Sequence, residues 1–325
     1  MSMKKRTMSI FLLLILILPS ILLFSDILWD EKNKGVYNIS VIIRGKNTES
    51  WSIMKQGIDQ AALEMNAEIS FVTLLEENSV EEQSQLINRE INNGADAILI
   101  SPVDYDRMAE PIEVAMGKVV VVLIESTINS QKKLAYISCD NYELGVKLAE
   151  EVIQNGNVRN EISVIKDNLE YSSINERYNG FIDTISKTKN TYTLLELSKN
   201  EKVAYSQKKI LVEENIGDVI VTFDIATLES VAENKKILKE VNGIEIESEI
   251  YGIGSTSKIL SLLEEKIINS IAVQNEFNIG YLGVENAIDI LMGRKTKKNI
   301  IESTIVTTRN MYSDENQRLL FPFIR

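Results

Sequence analysis

The sequence predicts an α/β chain: two lobes built on doubly wound parallel sheets, joined by crossover strands and preceded by one hydrophobic N-terminal helix. Three observations carry this. The chain has 325 residues, more than a single hydrophobic core usually serves and enough for two lobes. Short apolar runs alternate with longer stretches of helical periodicity, in two successive series. A basic cluster, Lys4-Lys5-Arg6, stands ahead of a long apolar run at the start of the chain.

The apolar run covers 8–24, about 17 residues, broken only by small or weakly polar side chains and Pro19. Ile27, Leu28 and Trp29 extend it toward the roughly 20 apolar residues that span a bilayer. A basic flank stays in the cytoplasm, so everything after the run faces outside. Leu23-Phe24-Ser25 is a poor cleavage site, and no cysteine follows the run to carry a lipid. Residues 1–35 are therefore expected to be an uncleaved signal-anchor and linker, with a cleaved secretion signal as the alternative.

In the first series, strands are expected at 39–43, 69–75, 97–100, 119–124 and 135–138, with helices at 50–66, 80–93 and 105–116. The first helix carries Ile53, Met54, Ile58, Ala61, Ala62 and Met65 at helical spacing. The fully apolar run 119–124 fits a strand covered on both faces. The second series has helices at 143–154, 174–185, 203–214, 228–240, 257–265 and 279–292. Its strands are expected at 162–165, 192–196, 219–223, 244–252 and 271–273. Such alternation means βαβ units, and in these sheets ligands bind beyond the carboxyl ends of the strands. A crevice between two facing lobes is then the natural site.

Composition narrows the chemistry. There is one cysteine, Cys139, and no histidine. A Cys/His zinc site, histidine triads and histidine general bases are all excluded. Residues 36–325 hold 30 basic and 44 acidic side chains, a poor balance for binding nucleic acid. No P-loop, dinucleotide fingerprint or nucleophile elbow is present. The Tyr251-Gly-Ile-Gly-Ser-Thr-Ser257 segment follows a strand but lacks a phosphate-binding lysine, and reads as a turn and helix cap. Glu81-Glu82 and Glu264-Glu265 read as solvated helix faces. No catalytic residue, metal ligand or cofactor is expected.

Four segments carry a family resemblance. They are Ile39-Ser-Val-Ile-Ile-Arg-Gly-Lys-Asn-Thr-Glu-Ser-Trp51 followed by Gly57; Gly94-Ala-Asp-Ala-Ile-Leu-Ile-Ser-Pro102; Ile137-Ser-Cys-Asp-Asn141 followed by Gly145; and Asn175-Glu-Arg-Tyr-Asn-Gly-Phe181. In this order and spacing, residues 36–310 resemble the periplasmic sugar-binding proteins of the ribose-binding type (type I), and the ligand domains of the lactose-repressor family. The resemblance implies three crossovers, near Asp140, Gln274 and Thr304. One lobe would comprise 36–139 and 275–304, the other 140–274 and 305–325.

The resemblance also implies a set of ligand contacts. Thr48, Ser50 and Trp51 open the first helix, where the family supplies polar and aromatic groups; Ser50 also suits an N-cap. Trp51 suits the C–H face of a sugar ring, or simply the lobe core. Glu125 stands where the family has an aspartate that accepts from adjacent hydroxyls. Ser126 replaces the arginine common after it. Arg177 matches a ligand-contacting arginine whose planar fork donates to ring or hydroxyl oxygens. Phe223 and Asp224 end a strand where the family has a polar contact, often asparagine. Gln274 matches a glutamine on a crossover strand, and Gly254 replaces a ligand aspartate. Arg44 ends the first strand, an unusual position; with Arg177 it would draw an anionic ligand such as a sugar acid or phosphate. Asp140-Asn141 is expected to mark a crossover and cap the following helix, with Cys139 a small buried apolar group beside it.

The expected function is an extracytoplasmic binding protein, not an enzyme, closing on a small polar ligand such as a monosaccharide or sugar derivative. A transporter permease of the ABC type or a sensor kinase would read the closed state. The alternatives are an enzyme on an α/β scaffold, and a repressor-type ligand domain lacking its DNA-binding part.

Overall fold

The computed structural model describes residues 35–45, 49–76, 78–196, 211, 216–296 and 301–321. The expected membrane helix lies outside them, as does the helix expected at 203–214 apart from Leu211. Among the described residues no helix is long and apolar enough to cross a membrane.

There are two sheets, one in each lobe. The first contains β1 (Tyr37–Ile43), β2 (Ala67–Thr73), β3 (Ala97–Ile100), β4 (Val120–Ile124) and β5 (Ala135–Ile137) in the order β2-β1-β3-β4-β5. All its neighbouring pairs are parallel. The second contains β6 (Glu161–Lys166), β7 (Thr191–Glu196), β8 (Val219–Val221), β9 (Glu249–Ile253), β10 (Ser270–Gln274) and β11 (Ser303–Thr307) in the order β11-β10-β9-β8-β6-β7. Only the β10–β11 pair is antiparallel. Chain order reverses between β1 and β3 in one sheet and between β6 and β8 in the other, which is where open α/β sheets place ligands.

The strands form where the apolar runs lie because helices cover both sheet faces. Ile98, Leu99, Ile100, Val122, Leu123 and Ile124 are all buried. Each such side chain contributes roughly 1.5–3 kcal/mol relative to exposure. The covering helices are α1 (Glu49–Met65), α2 (Val80–Asn92), α3 (Ala109–Met116), α4 (Asn141–Gln154), α5 (Ser172–Ile185), α6 (Ile225–Glu240), α7 (Ser257–Glu264) and α8 (Glu276–Leu291). A last helix, α9, runs Asp314–Leu320. Several start on side-chain caps: Asp140 accepts from the Glu143 N–H, Asp224 from Ala226, Thr256 from Ile259 and Asn275 from Asn278.

Two helix pairs are held by mutual glycines. A Cβ on Gly57 of α1 would fall 2.0 Å from the Phe277 carbonyl oxygen, and one on Gly280 of α8 would fall 2.1 Å from that of Met54. The same arrangement joins α4 and α5, where a Cβ on Gly145 or Gly180 would fall 2.0 Å from the carbonyl of Arg177 or Tyr142. Thus α8, although it follows a strand of the second sheet, returns to pack on the first lobe.

Three details differ from the expectation. The strand expected at 244–252 begins only at Glu249, because the Ile244 N–H donates to the Leu238 carbonyl and closes the end of α6. Strand β11 and helix α9 were not anticipated. Ser303 and Thr304, expected in the first lobe, pair with Gln274 and Val273 in the second sheet, so the third crossover precedes Ser303.

Candidate ligand-binding site

The helices that follow β1, β6, β8, β9 and β10 all begin beside one slot between the lobes. It is a cavity of about 510 Å³, a size that suits a small ligand. Arg44, Trp51, Glu125, Arg177 and Asp224, all expected on sequence grounds, line it together with Tyr171 and Glu276.

Glu125 lies at the floor. It follows β4 in a left-handed backbone conformation, φ +63°, which is uncommon for a residue with a Cβ and characteristic of functional sites. Its backbone is held from both sides: the N–H donates to the Ile137 carbonyl at 3.0 Å. Its carbonyl accepts from Tyr136 Oη at 2.9 Å and Ser138 Oγ at 3.0 Å. The carboxylate is thereby aimed into the slot. Oε1 pairs with Arg44 Nη2 at 2.7 Å, and Oε2 accepts from Ser101 Oγ at 3.4 Å.

Arg44 crosses the slot. Its Nη1 donates to Ser126 Oγ at 2.9 Å, and its guanidinium carbon sits 3.9 Å from the ring centre of Tyr171 in the opposite lobe. Ser126, which replaces the family's arginine, is therefore the partner of an arginine supplied from β1.

Arg177, on α5, is 2% exposed. Its Nε donates to Asn141 Oδ1 at 2.8 Å and its Nη1 to the Phe223 carbonyl at 3.4 Å. Nη2 lies 3.8 Å from Glu125 Oε1 and has no hydrogen-bond partner among the described residues. A buried donor of this kind costs about 1–3 kcal/mol if left unpaired, more on a charged group. It is therefore poised for an acceptor arriving in the slot.

The remaining expected residues divide. Trp51 lines the slot and also belongs to the first lobe's core, so its two readings coexist. Asp224 caps α6 at the wall, and burial pushes its carboxyl up to about 6 despite the nearby Arg44 charge. The Phe223 ring is not at the wall: it packs edge-on against Tyr178 and Phe181, at 5.9 and 5.6 Å. Only its carbonyl takes part, through Arg177. Gln274 does not line the slot either; it donates to Glu276 Oε1 at 2.9 Å and accepts from Cys139 Sγ at 2.9 Å. Thr48 and the side chain of Ser50 lie outside the described residues.

Glu276 and Tyr171 were not singled out in the sequence. Glu276 is the first residue of α8 and is 7% exposed. Burial and the charge of Glu125 push its carboxyl upward, against the pull of Arg177 and Arg44. The available signal was position: each is a polar-tipped residue at the start of a helix that follows a strand.

The lobes touch at both lips of the slot. On one side, Thr127 N–H donates to Ser172 Oγ at 2.7 Å, Tyr105 N–H to the Glu170 carbonyl at 2.9 Å, and Ser126 Oγ lies 2.8 Å from Ser173 Oγ. On the other, the Glu49 carboxylate accepts from the Ser257 N–H at 3.0 Å and caps α7 from the opposite lobe.

Asp140 caps α4 as expected, and Cys139 beside it is buried against Gln274. Burial pushes the Cys139 thiol up to about 12, so little thiolate exists at neutral pH. The native protein is therefore expected to leave Cys139 unmodified by a disulfide-exchange thiol reagent, with stoichiometric reaction in denaturant. Rapid labelling of the folded chain would show that this crossover is open.

A family model described as a periplasmic binding protein domain matches residues 39–295. The ribose import binding protein RbsB of Bacillus subtilis (strain 168) is 24% identical over 279 residues, covering 82% of this chain and 86% of that protein. Among solved structures, a carbohydrate transporter solute binding protein from Agrobacterium radiobacter, in complex with D-arabinose, superposes with a TM-score of 0.79 at 19% identity. That match covers 88% of this chain and 99% of the other. A XylFII–LytSN complex matches with a TM-score of 0.74 at 20% identity, covering 85% and 99%. At these identities the structural matches establish the fold.

Proposed function

Because the chain belongs to the periplasmic binding protein domain family, we propose that its two lobes close on a small polar ligand, a monosaccharide or sugar derivative. The observation that carries this reading is the Arg177 Nη2 donor, buried and without a hydrogen-bond partner among the described residues, at the wall of a slot of about 510 Å³. Around it stand the groups a sugar uses. Glu125 accepts from hydroxyls, Trp51 offers an apolar ring, and the arginine fork donates to oxygens. The import role in the name of the Bacillus subtilis relative, and the D-arabinose in the Agrobacterium radiobacter complex, support a sugar ligand.

Closure is the signal. The crossovers at Cys139-Asp140 and Gln274-Asn275, with a third before Ser303, absorb the rotation between 36–139 with α8 and the rest of the body. A membrane partner reads the closed state. A transporter permease fits the import relative; the XylFII–LytSN complex shows that a protein of this fold can pair with a second component, and a sensor kinase is the other candidate. Residues 1–35 anchor the body outside the cytoplasm through the apolar run behind Lys4-Lys5-Arg6, or release it if the run is cleaved.

The test is a thermal-shift screen of the full chain in lipid nanodiscs against pentoses, hexoses, sugar acids and sugar phosphates. At about 100 times its Kd, a ligand that binds only the folded state adds about 2.7 kcal/mol of stability. At least one sugar is expected to raise Tm accordingly. No shift with any of them would remove the sugar reading.

A further inference from the structure

Resting on the reading of the slot as a sugar site, we propose that its ligand carries a positive charge, an amino sugar whose ammonium group is held by a carboxylate of the slot wall, Glu276 or Asp224. Arg44 and Arg177 alone would draw an anion, but the slot's other charges outweigh them. Among the described residues its walls carry five carboxylates, on Glu49, Glu125, Asp224, Glu229 and Glu276, against three cations, on Arg44, Arg177 and Lys258. Lys258 is drawn off to Glu233 at 2.6 Å. Arg44 is spent on Glu125 at 2.7 Å.

The carboxylates differ in what already satisfies them. Glu49 caps α7, and Glu229 takes the Thr256 hydroxyl. Asp224 and Glu276 have much less. Among the described residues, the Asp224 carboxylate accepts only from the Ala226 N–H at 3.2 Å, and Glu276 only from Gln274 Nε2 at 2.9 Å. The charged groups around Glu276 are Glu125, Arg177 and Arg44. Those around Asp224 are Arg44, Asp167 and Glu125. Two guanidinium groups are thus shared among more carboxylates than they can neutralise. Such sites take up either protons or a cation. Both carboxyls are pushed upward, Asp224 to about 6.

Arg177 decides which kind of cation fits. Its unpartnered Nη2 is 3.8 Å from Glu125 and needs an oxygen acceptor in the same slot. Trp51 adds an apolar side chain at the wall. A ring bearing both hydroxyls and an ammonium group meets all three demands, whereas a simple diamine would leave Arg177 unpaired. An ammonium on a desolvated carboxylate forms charge-assisted bonds, the strong kind.

The experiment is calorimetric titration of the full chain in nanodiscs with D-glucosamine, D-galactosamine and D-mannosamine, each beside D-glucose, D-galactose and D-mannose. At least one amino sugar is expected to bind about tenfold or more tightly than its neutral parent at neutral pH. That advantage should fall in Glu276→Gln or in Asp224→Asn, both near-isosteric and free of a buried charge. It should also fall as pH drops from about 7 to about 5, because the carboxyl that seats the cation must be ionised. Neutral parents binding as tightly as their amino forms would overturn this assignment and leave the sugar reading standing. An advantage unchanged in both variants would overturn it too. Binding by none of the six sugars would overturn it together with the sugar reading.

Discussion

Arg177→Ala lowers ligand affinity by about 2–5 kcal/mol, roughly 30-fold to several-thousand-fold in Kd. The side chain is 2% exposed and its three nitrogens have different duties. Nε holds Asn141 at 2.8 Å and Nη1 holds the Phe223 carbonyl at 3.4 Å, which fixes the fork. Nη2 is the donor left for the ligand. Truncation removes that donor and also leaves Glu125 and Glu276 less compensated in a desolvated slot. Arg177→Lys keeps the charge but cannot reproduce the fork, and is expected to fall between wild type and alanine. Calorimetric titration with a sugar that stabilises the chain checks both. An unchanged Kd in the alanine variant would remove Arg177 from the site.

Gly145→Ala is expected to destabilise the chain by about 1–3 kcal/mol, because overpacking a tight contact forces the backbone apart. The added Cβ would stand 2.0 Å from the Arg177 carbonyl, and the obstacle is backbone, which has no rotamer to yield. For a domain of this size the loss lowers Tm by roughly 2–12 °C. The clash is with Arg177 itself, so ligand affinity is expected to fall as well, though Gly145 does not line the slot. Gly117→Ala is the control. Its backbone is already in the right-handed region, φ −77°, and the nearest obstacle is the Val114 oxygen at 3.4 Å. That variant should match or slightly exceed wild-type stability. Equal melting curves for both alanine variants would mean that α4 and α5 are not pinned at their glycines.

The fold was legible because the signals were local. Short, β-branched apolar runs such as Val120 to Ile124 suit strands buried on both faces, and helical periodicity marked what covers them. Asp140 as a cap needed no tertiary knowledge. β11 carried a readable signal in Thr304, Ile305, Val306 and Thr307, but its antiparallel partner β10 is more than 25 residues upstream, beyond any local pattern. The site was legible in part. Residues that end strands, such as Arg44, Glu125 and Asp224, were found because strand ends face the slot. Phe223 and Gln274 obey the same rule and fail it, since side-chain direction depends on packing: one ring turns to Phe181, one amide to Cys139. Glu276 was hidden for the reverse reason. As the first residue of a helix it reads as an ordinary favourable charge at a helix N-terminus, and only the fold reveals it facing Glu125.

The most direct test is a crystal structure of the chain with whichever sugar stabilises it. The expected density is a single sugar ring enclosed between the lobes, with one of its oxygens in hydrogen-bond reach of Arg177 Nη2 and its hydroxyls on Glu125. A sugar bound on an outer face, making no contact with Glu125 or Arg177, would contradict the account.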